Sequence, residues 1–248
     1  MLVLCKPGKP AYDVAKAYRP IGLLDTIGKL LSILVAADLS HLAEKHGLLP
    51  PGQYGGCPGR NTSDAVHFLT HTIKDAWRAG KVAVALFLDV QGAFPNTVKE
   101  RLIHNMRAQR VSSCYIRLID NMLTNRKTWL HFNDYTSEPI PINNGTTQGC
   151  PLSMLLYTFY NAPLIESTTS KNESSIGFVD DSAYLITANS LLEAHEDIKD
   201  LMERPNSVRG CSTSSDVSSD ISPSPLYIPP HRRQPKTECT RGSDTGVR

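Results

Sequence analysis

Phe178-Val179-Asp180-Asp181 is the stretch on which the reading of this chain turns. Beta-prone residues stand on both sides, Ser175 and Ile176 before it and Tyr184, Leu185, Ile186 and Thr187 after it, so the pattern predicts a hairpin with two carboxylates at its tip. Like charges at close range raise one another's pKa, and either a cation or a proton must settle such a pair. A third acid lies upstream. Val82-Ala83-Val84-Ala85-Leu86-Phe87-Leu88 is a continuous apolar run of the kind a buried strand shows, and it ends on Asp89. Two strands that end in acids can share a metal.

Between them lies Gly145-Thr146-Thr147-Gln148-Gly149-Cys150-Pro151-Leu152-Ser153. The order acid strand, Gln-Gly loop, double-Asp hairpin resembles the palm of a reverse transcriptase. The wording of Phe87-Leu88-Asp89-Val90-Gln91-Gly92-Ala93-Phe94 and of the Gln-Gly loop is most similar to the non-LTR, LINE-type retrotransposon enzymes, especially those widespread in fungal genomes. The resemblance runs from about Lys6 to Asn206, and it rests on several motifs in the family's order, because a lone Asp-Asp pair carries little information. It implies an α+β fold of fingers and a partial palm, an antiparallel sheet with packed helices, with the thumb missing.

The resemblance also implies roles. Asp89 and Asp180 would bridge two divalent ions, with Asp181 the neighbouring acid, and magnesium, or manganese in its place, would be the cofactor. Phe94, five residues past Asp89, would crowd the sugar's 2′ position and exclude ribonucleotides. Gln148 and Gly149 would lie beside the incoming nucleotide, Lys9 and Arg19 would neutralise its triphosphate, with Lys6 the competing lysine, and Arg60 would contact the template backbone. Cys57 stands where resembling enzymes commonly carry a basic residue, a loss expected to weaken template binding. Each residue alone also has an ordinary reading: a turn Asp, a core aromatic, a turn glycine, a surface charge.

Composition sets wider limits. The chain has 248 residues, 40% hydrophobic and 20% charged, enough to bury a real core in one or two domains. No run approaches the roughly 18 apolar residues of a membrane helix, and the N-terminus lacks a secretory leader, so an intracellular location is expected. Six scattered cysteines without a Cys-x-x-Cys argue against a disulfide framework or a zinc site. The net charge is +2, and residues 207–248 carry six Lys or Arg against four Asp or Glu, which leaves the rest neutral. Net charge therefore makes no case for nucleic acid. Locally, Lys99, Arg101, Arg107, Arg110, Arg117, Arg126 and Lys127 face only Glu100 and Asp120 between Lys99 and His131, a pattern that suits either a phosphate-tracking surface or a solvated helix face.

Along the chain, Lys6 to Pro10 reads as a turn and Tyr18 to Leu23 as an extended piece. Asp25 caps a helix that Gly47 and the Pro50-Pro51 pair end, and Gln53 to Arg60 is too rich in Gly and Pro for regular structure. Helices are expected from Asn61 or Thr62 to Trp77, Thr97 to Gln109, Ser112 to Leu123, from Ser153 onward, and Ser190 to Met202. Thr128 to Phe132 and Glu138 to Ile142 read as one hairpin. The resemblance implies that residues 1–206 form the fingers and a partial palm. From Ser207 the Ser-rich and Pro-rich character predicts a disordered tail without family features, as in a truncated copy.

The expected activity is RNA-directed DNA synthesis, with an RNA template, a DNA primer and deoxynucleoside triphosphates as partners and no membrane. Two alternatives remain. One is an inactive retroelement remnant that binds nucleic acid weakly at most; the other is an RNA-dependent RNA polymerase, which sits poorly with Phe94.

Overall fold

In the computed structural model the described residues are 1–90, 92–132, 134–204 and, as backbone only, 224–228. The N-terminal part contains β1 (Leu2–Cys5), β2 (Tyr18–Ile21), α1 (Thr26–His46), β3 (Gln53–Gly55), α2 (Thr62–Arg78) and β4 (Val82–Leu88). Then follow α3 (Lys99–Ala108), α4 (Ser113–Leu123), β5 (Arg126–Thr128), β6 (His131–Phe132), β7 (Tyr135–Thr136) and β8 (Ile140–Ile142). The acid hairpin region consists of α5 (Pro151–Ile165), β9 (Glu173–Phe178), β10 (Asp181–Ala188) and α6 (Leu191–Glu203), and β11 (Ser224–Ile228) lies beyond. The architecture is α+β, as expected.

Helix boundaries follow local chemistry. Asp25 accepts the Gly28 amide at the start of α1, and Gly47 ends that helix with φ 59°, a conformation that a residue without a Cβ adopts without steric cost. Asn61 and Asp64 form a reciprocal capping box on α2, and Ser190 caps α6.

The main sheet has the order β11-β4-β10-β9-β3. β10 pairs antiparallel with β4 from Ser182 opposite Leu88 to Ala188 opposite Val82, and with β9 from Asp181 opposite Phe178. Because successive side chains alternate faces, this sheet packs on both sides. Val84, Leu86, Tyr184 and Ile186 meet Leu201 of α6, while Ala83, Ala85 and Leu185 meet Ile73 of α2. α5 runs beneath and joins α1, α3 and α4 in the largest core cluster, where Leu39, Leu102, Met106, Ile119 and Phe159 are fully buried. Burial of each such side chain contributes roughly 1.5–3 kcal/mol.

Two expectations need correction, and two further features bear on the tail and on α1. Gln53–Gly55 does form a short strand, parallel to β9, inside the stretch expected to be irregular. It is short enough, and Gly55 bare enough, to lie directly against the neighbouring backbone. The single expected hairpin is two ladders: β5 pairs with β8, while β6 and β7 form their own hairpin beside β1 and β2. The expected disordered tail falls largely outside the described residues, but Ser224–Ile228 pairs antiparallel with β4, where an open edge offers unpaired amides and carbonyls. Finally, α1 is long and apolar enough to cross a membrane by length and composition alone. Only 22% of its apolar window is buried: Ser32, Val35, Leu39 and Ala43 turn inward, while Ile27, Leu30 and Leu34 are exposed. Among the described residues Cys5, Cys57, Cys114 and Cys150 are free thiols.

Candidate active site

The ladder of β10 with β4 sets the acids in place. Ser182 opposite Leu88 brings the next residues outward, Asp181 and Asp89, to the same end of the strand pair. Asp180 occupies the two-residue turn between β9 and β10 with Val179. Val179 has φ 62°, and Asp180 is not among the positive-φ residues, the pattern of a turn whose first central position favours glycine.

Electrostatics reports the crowding. The Asp181 carboxyl is raised above its ordinary value of 3.8, first by partial burial between the strand ends and then by the charges of Asp180 and Asp89. The residue's surface as a whole is exposed, so the effect is modest.

A cleft of about 390 Å³ is lined by Asp180 and Asp181 together with Phe94, Gln148 and Gly149. A second, largely apolar cleft of about 390 Å³ between α2 and the sheet reaches Asp89 and Asp181 from behind. Five of the residues singled out from sequence thus share one cavity, and Asp89 adjoins it across the ladder.

The segments that carry Phe94 and Gln148 are joined by hydrogen bonds. After Asp89 the chain turns through Gly92 and Ala93 to Phe94, whose ring meets Tyr157 of α5 at 5.4 Å between centroids. The Thr146 amide donates to the Phe94 carbonyl at 2.7 Å, and the Gly145 amide donates to the Thr97 carbonyl at 2.7 Å. A Cβ on Gly145 would sit 2.4 Å from the Pro95 carbonyl oxygen, so only glycine permits this approach. On the other side the Gly22 amide donates to the Gln148 carbonyl at 2.7 Å, which ties the end of β2 to the same loop.

Lys9 and Arg19 do not line the cleft. Both are exposed, Lys9 in the turn after β1 and Arg19 on β2. Arg60 donates from Nη1 to the Pro51 and Gln53 carbonyls at 2.8 and 2.6 Å and stands over the Tyr54 ring, so it braces its own loop. Cys57 is buried in that loop, where burial pushes its thiol up to about 11 against the opposing charge of Arg60.

The basic stretch divides. Arg126 is half-buried and donates from Nη2 to the Asn144 and Gly145 carbonyls at 3.3 and 2.6 Å, and Lys99 pairs with Asp120 at 3.1 Å. These two side chains are occupied within the protein, whereas Arg107, Arg110, Arg117 and Lys127 are exposed. Sequence reasoning assigned Arg126 to a surface. Nothing in a run of basic residues distinguishes the one whose partners are carbonyls 18 and 19 positions away.

The chain matches the family described as reverse transcriptase (RNA-dependent DNA polymerase) over residues 6–216. It belongs to that family. The match passes the boundary at Asn206 drawn from composition and reaches into the Ser-rich stretch. This reverse transcriptase is 28% identical over 207 residues to a probable RNA-directed DNA polymerase from transposon BS of Drosophila melanogaster, covering 82% of this chain and 23% of that protein. It is 25% identical over 208 residues to the RNA-directed DNA polymerase from mobile element jockey of the same organism, covering 82% of this chain and 22% of the relative. The chain spans less than a quarter of the length of these relatives. They agree with the LINE-type resemblance, on insect elements. Among solved structures, telomerase from Candida tropicalis in complex with a fragment of telomeric RNA aligns with a TM-score of 0.54 at 9% identity, over 70% of this chain and 31% of that one, a likeness of fold.

Reverse transcriptases normally use divalent metals, and the donor set here is suited to them: hard carboxylate oxygens, crowded enough to raise Asp181. Among the described residues no three His, Cys, Asp or Glu side chains converge into a ready-made cage.

Proposed function

We propose that this reverse transcriptase chain forms the fingers and palm of an RNA-directed DNA polymerase that adds deoxynucleotides to a DNA primer on an RNA template. The observation that carries the reading is the shared cleft, with Asp180 and Asp181 facing Phe94, Gln148 and Gly149, and Asp89 adjoining across the ladder. Nucleotidyl transfer is an in-line displacement at phosphorus. Two divalent ions, when bound, supply activation of the attacking hydroxyl and stabilisation of the leaving pyrophosphate.

In this assignment Asp89 and Asp180 hold the magnesium ions, with manganese as a substitute, and Asp181 adds charge beside them. Phe94 stands across the cleft, where its ring would crowd a 2′-hydroxyl. Gln148 and the bare backbone of Gly149 lie against the incoming nucleotide. Lys9 and Arg19 neutralise the triphosphate from the rim, and Arg60 keeps the β3 loop in shape beside the template backbone.

The test is primer extension on an RNA template with Mg²⁺ and deoxynucleotides, run beside Asp89→Asn and Asp180→Asn. Each substitution is expected to lower the rate by roughly a thousandfold, since carboxylate-held metals contribute several kcal/mol. Extension that survives Asp180→Asn sinks the assignment.

A further inference from the structure

The turn that carries Asp180 is built on an unfavourable residue. Val179 is β-branched and has φ 62°, a combination that L residues of this shape avoid. Such a conformation persists only where its surroundings over-determine it, and here three constraints converge. Val179 itself is buried against Ala93 and Tyr157. Gly55 of β3 lies so close that a Cβ there would sit 2.6 Å from the Val179 nitrogen and 2.8 Å from the Phe178 carbonyl carbon. The third is Asn161 of α5, only 6% exposed, whose Nδ2 donates to the Val179 carbonyl at 3.5 Å and to Ser182 Oγ at 3.1 Å.

We propose that Asn161 is the positioning residue of the acid hairpin: it grips the chain on both sides of Asp180-Asp181 and holds the strained turn in the one geometry that presents both carboxylates to the cleft. The proposal rests on the reading of Asp180 as a metal ligand. Its chemistry is specific. The Val179 carbonyl can only accept, so the partner must be a donor, and a buried amide supplies one without bringing another charge to a site that already holds three acids. Burial also fixes the side chain, because an Asn that turned away would leave polar atoms unpaired in an apolar setting. Asn161 does not line the cleft that holds the acids. It acts through the backbone of Val179 and the hydroxyl of Ser182 on β10.

The strain supplies its own control. Glycine adopts positive φ without steric cost, so with Val179→Gly the turn should no longer need to be held. The experiment is a double-mutant cycle in the full 248-residue protein, Asn161→Ala with and without Val179→Gly, read by Mn²⁺ affinity and by amide exchange at Asp181 and Ser182.

With Val179 in place, Asn161→Ala is expected to weaken Mn²⁺ binding and speed exchange at both amides by about tenfold, the size of one released backbone strain. Protection along α5 should stay unchanged. In the Val179→Gly background the same substitution should change either quantity less than about twofold. Asn161→Leu, which removes the donor without leaving a cavity or adding a charge, is carried through the same cycle, so a folding failure of the alanine variant does not decide the matter. Equal effects in both backgrounds, or none in the valine background, overturn the proposal. Asp180→Asn is measured alongside. If it leaves Mn²⁺ affinity untouched, the metal reading fails, while the exchange arm still decides whether Asn161 holds the turn.

Discussion

β4 and β10 pair through seven consecutive residues, most of them buried, whereas β1 and β2 pair through four on a small sheet where Leu2, Leu4, Arg19 and Pro20 are exposed. The first pair ends in the acids and the second carries a cation proposed to meet phosphate. The difference follows from how the two interactions decay with distance. A magnesium ligand must stand about 2.1 Å from its ion, so its strand must be rigid. A charge that neutralises a polyanion still acts across roughly 8 Å at physiological salt, and an exposed strand is sufficient to carry it.

Substitutions can break or sharpen that contrast. Phe94→Val is expected to raise ribonucleotide incorporation relative to deoxynucleotides by roughly 10–200-fold in primer extension, the range of one steric contact in a pocket. Unchanged sugar selection would reduce Phe94 to a core aromatic on Tyr157.

On the rigid side, Arg204 binds Glu173 in a bidentate pair at 2.7 and 2.8 Å, with the Glu173 side chain only 4% and the Arg204 side chain 26% exposed. Arg204→Ala should cost roughly 2 kcal/mol in denaturant unfolding, less than for a fully buried pair. The Glu173 carboxyl is held below its ordinary value of 4.5, chiefly by the Arg204 hydrogen bonds. A depressed carboxylate contributes stability that is fully present above its unfolded pKa and is lost as pH falls through the folded one. The gap between wild type and Arg204→Ala should therefore narrow below pH 4.5.

Much of the palm was legible in the chain because it obeys simple periods. Val82 to Leu88 is apolar throughout since both faces of its strand are covered, and Asp25, Asn61 and Ser190 announce their helices by the side chains that cap them. Phe94, Gln148 and the two hairpin acids, picked out together through motif order, line one cleft. What escaped has tertiary causes. β3 spans three residues, too few for a period to register, and its place depends on the absent Cβ of Gly55. Asn161 is a buried amide in an apolar helix, with no pattern to separate it from a core polar residue whose partner lies next door. Ser224–Ile228 sits within Ser-rich and Pro-rich sequence, so its pairing with β4 could not be read from local composition.

That strand offers a smaller test of the rigid side. Deleting residues 207–248 should speed exchange of the β4 amides that face β11 by about tenfold while leaving those facing β10 protected. Equal protection in both proteins would show that β4 is held by β10 alone.

The smallest effect concerns the acids themselves. A carboxyl whose folded pKa is raised favours the fold at low pH and loses that contribution as pH rises, so at pH 7 Asp181 opposes folding. Asp181→Asn should stabilise the metal-free protein by a few tenths of a kcal/mol, given the exposure of the site. Thermal unfolding with and without Mn²⁺ checks this, and the ion should remove the advantage.

The hydrogen bonds from Thr146 to Phe94 and from Gly145 to Thr97, with the Gly145 backbone pressed on Pro95, leave no play between the two lips of the cleft wall. Under the proposed assignment, sugar choice at Phe94 and contact with the incoming nucleotide at Gln148 and Gly149 are therefore geared together. A change that loosens one lip moves the other, and a variant with relaxed sugar choice would show altered copying accuracy as well.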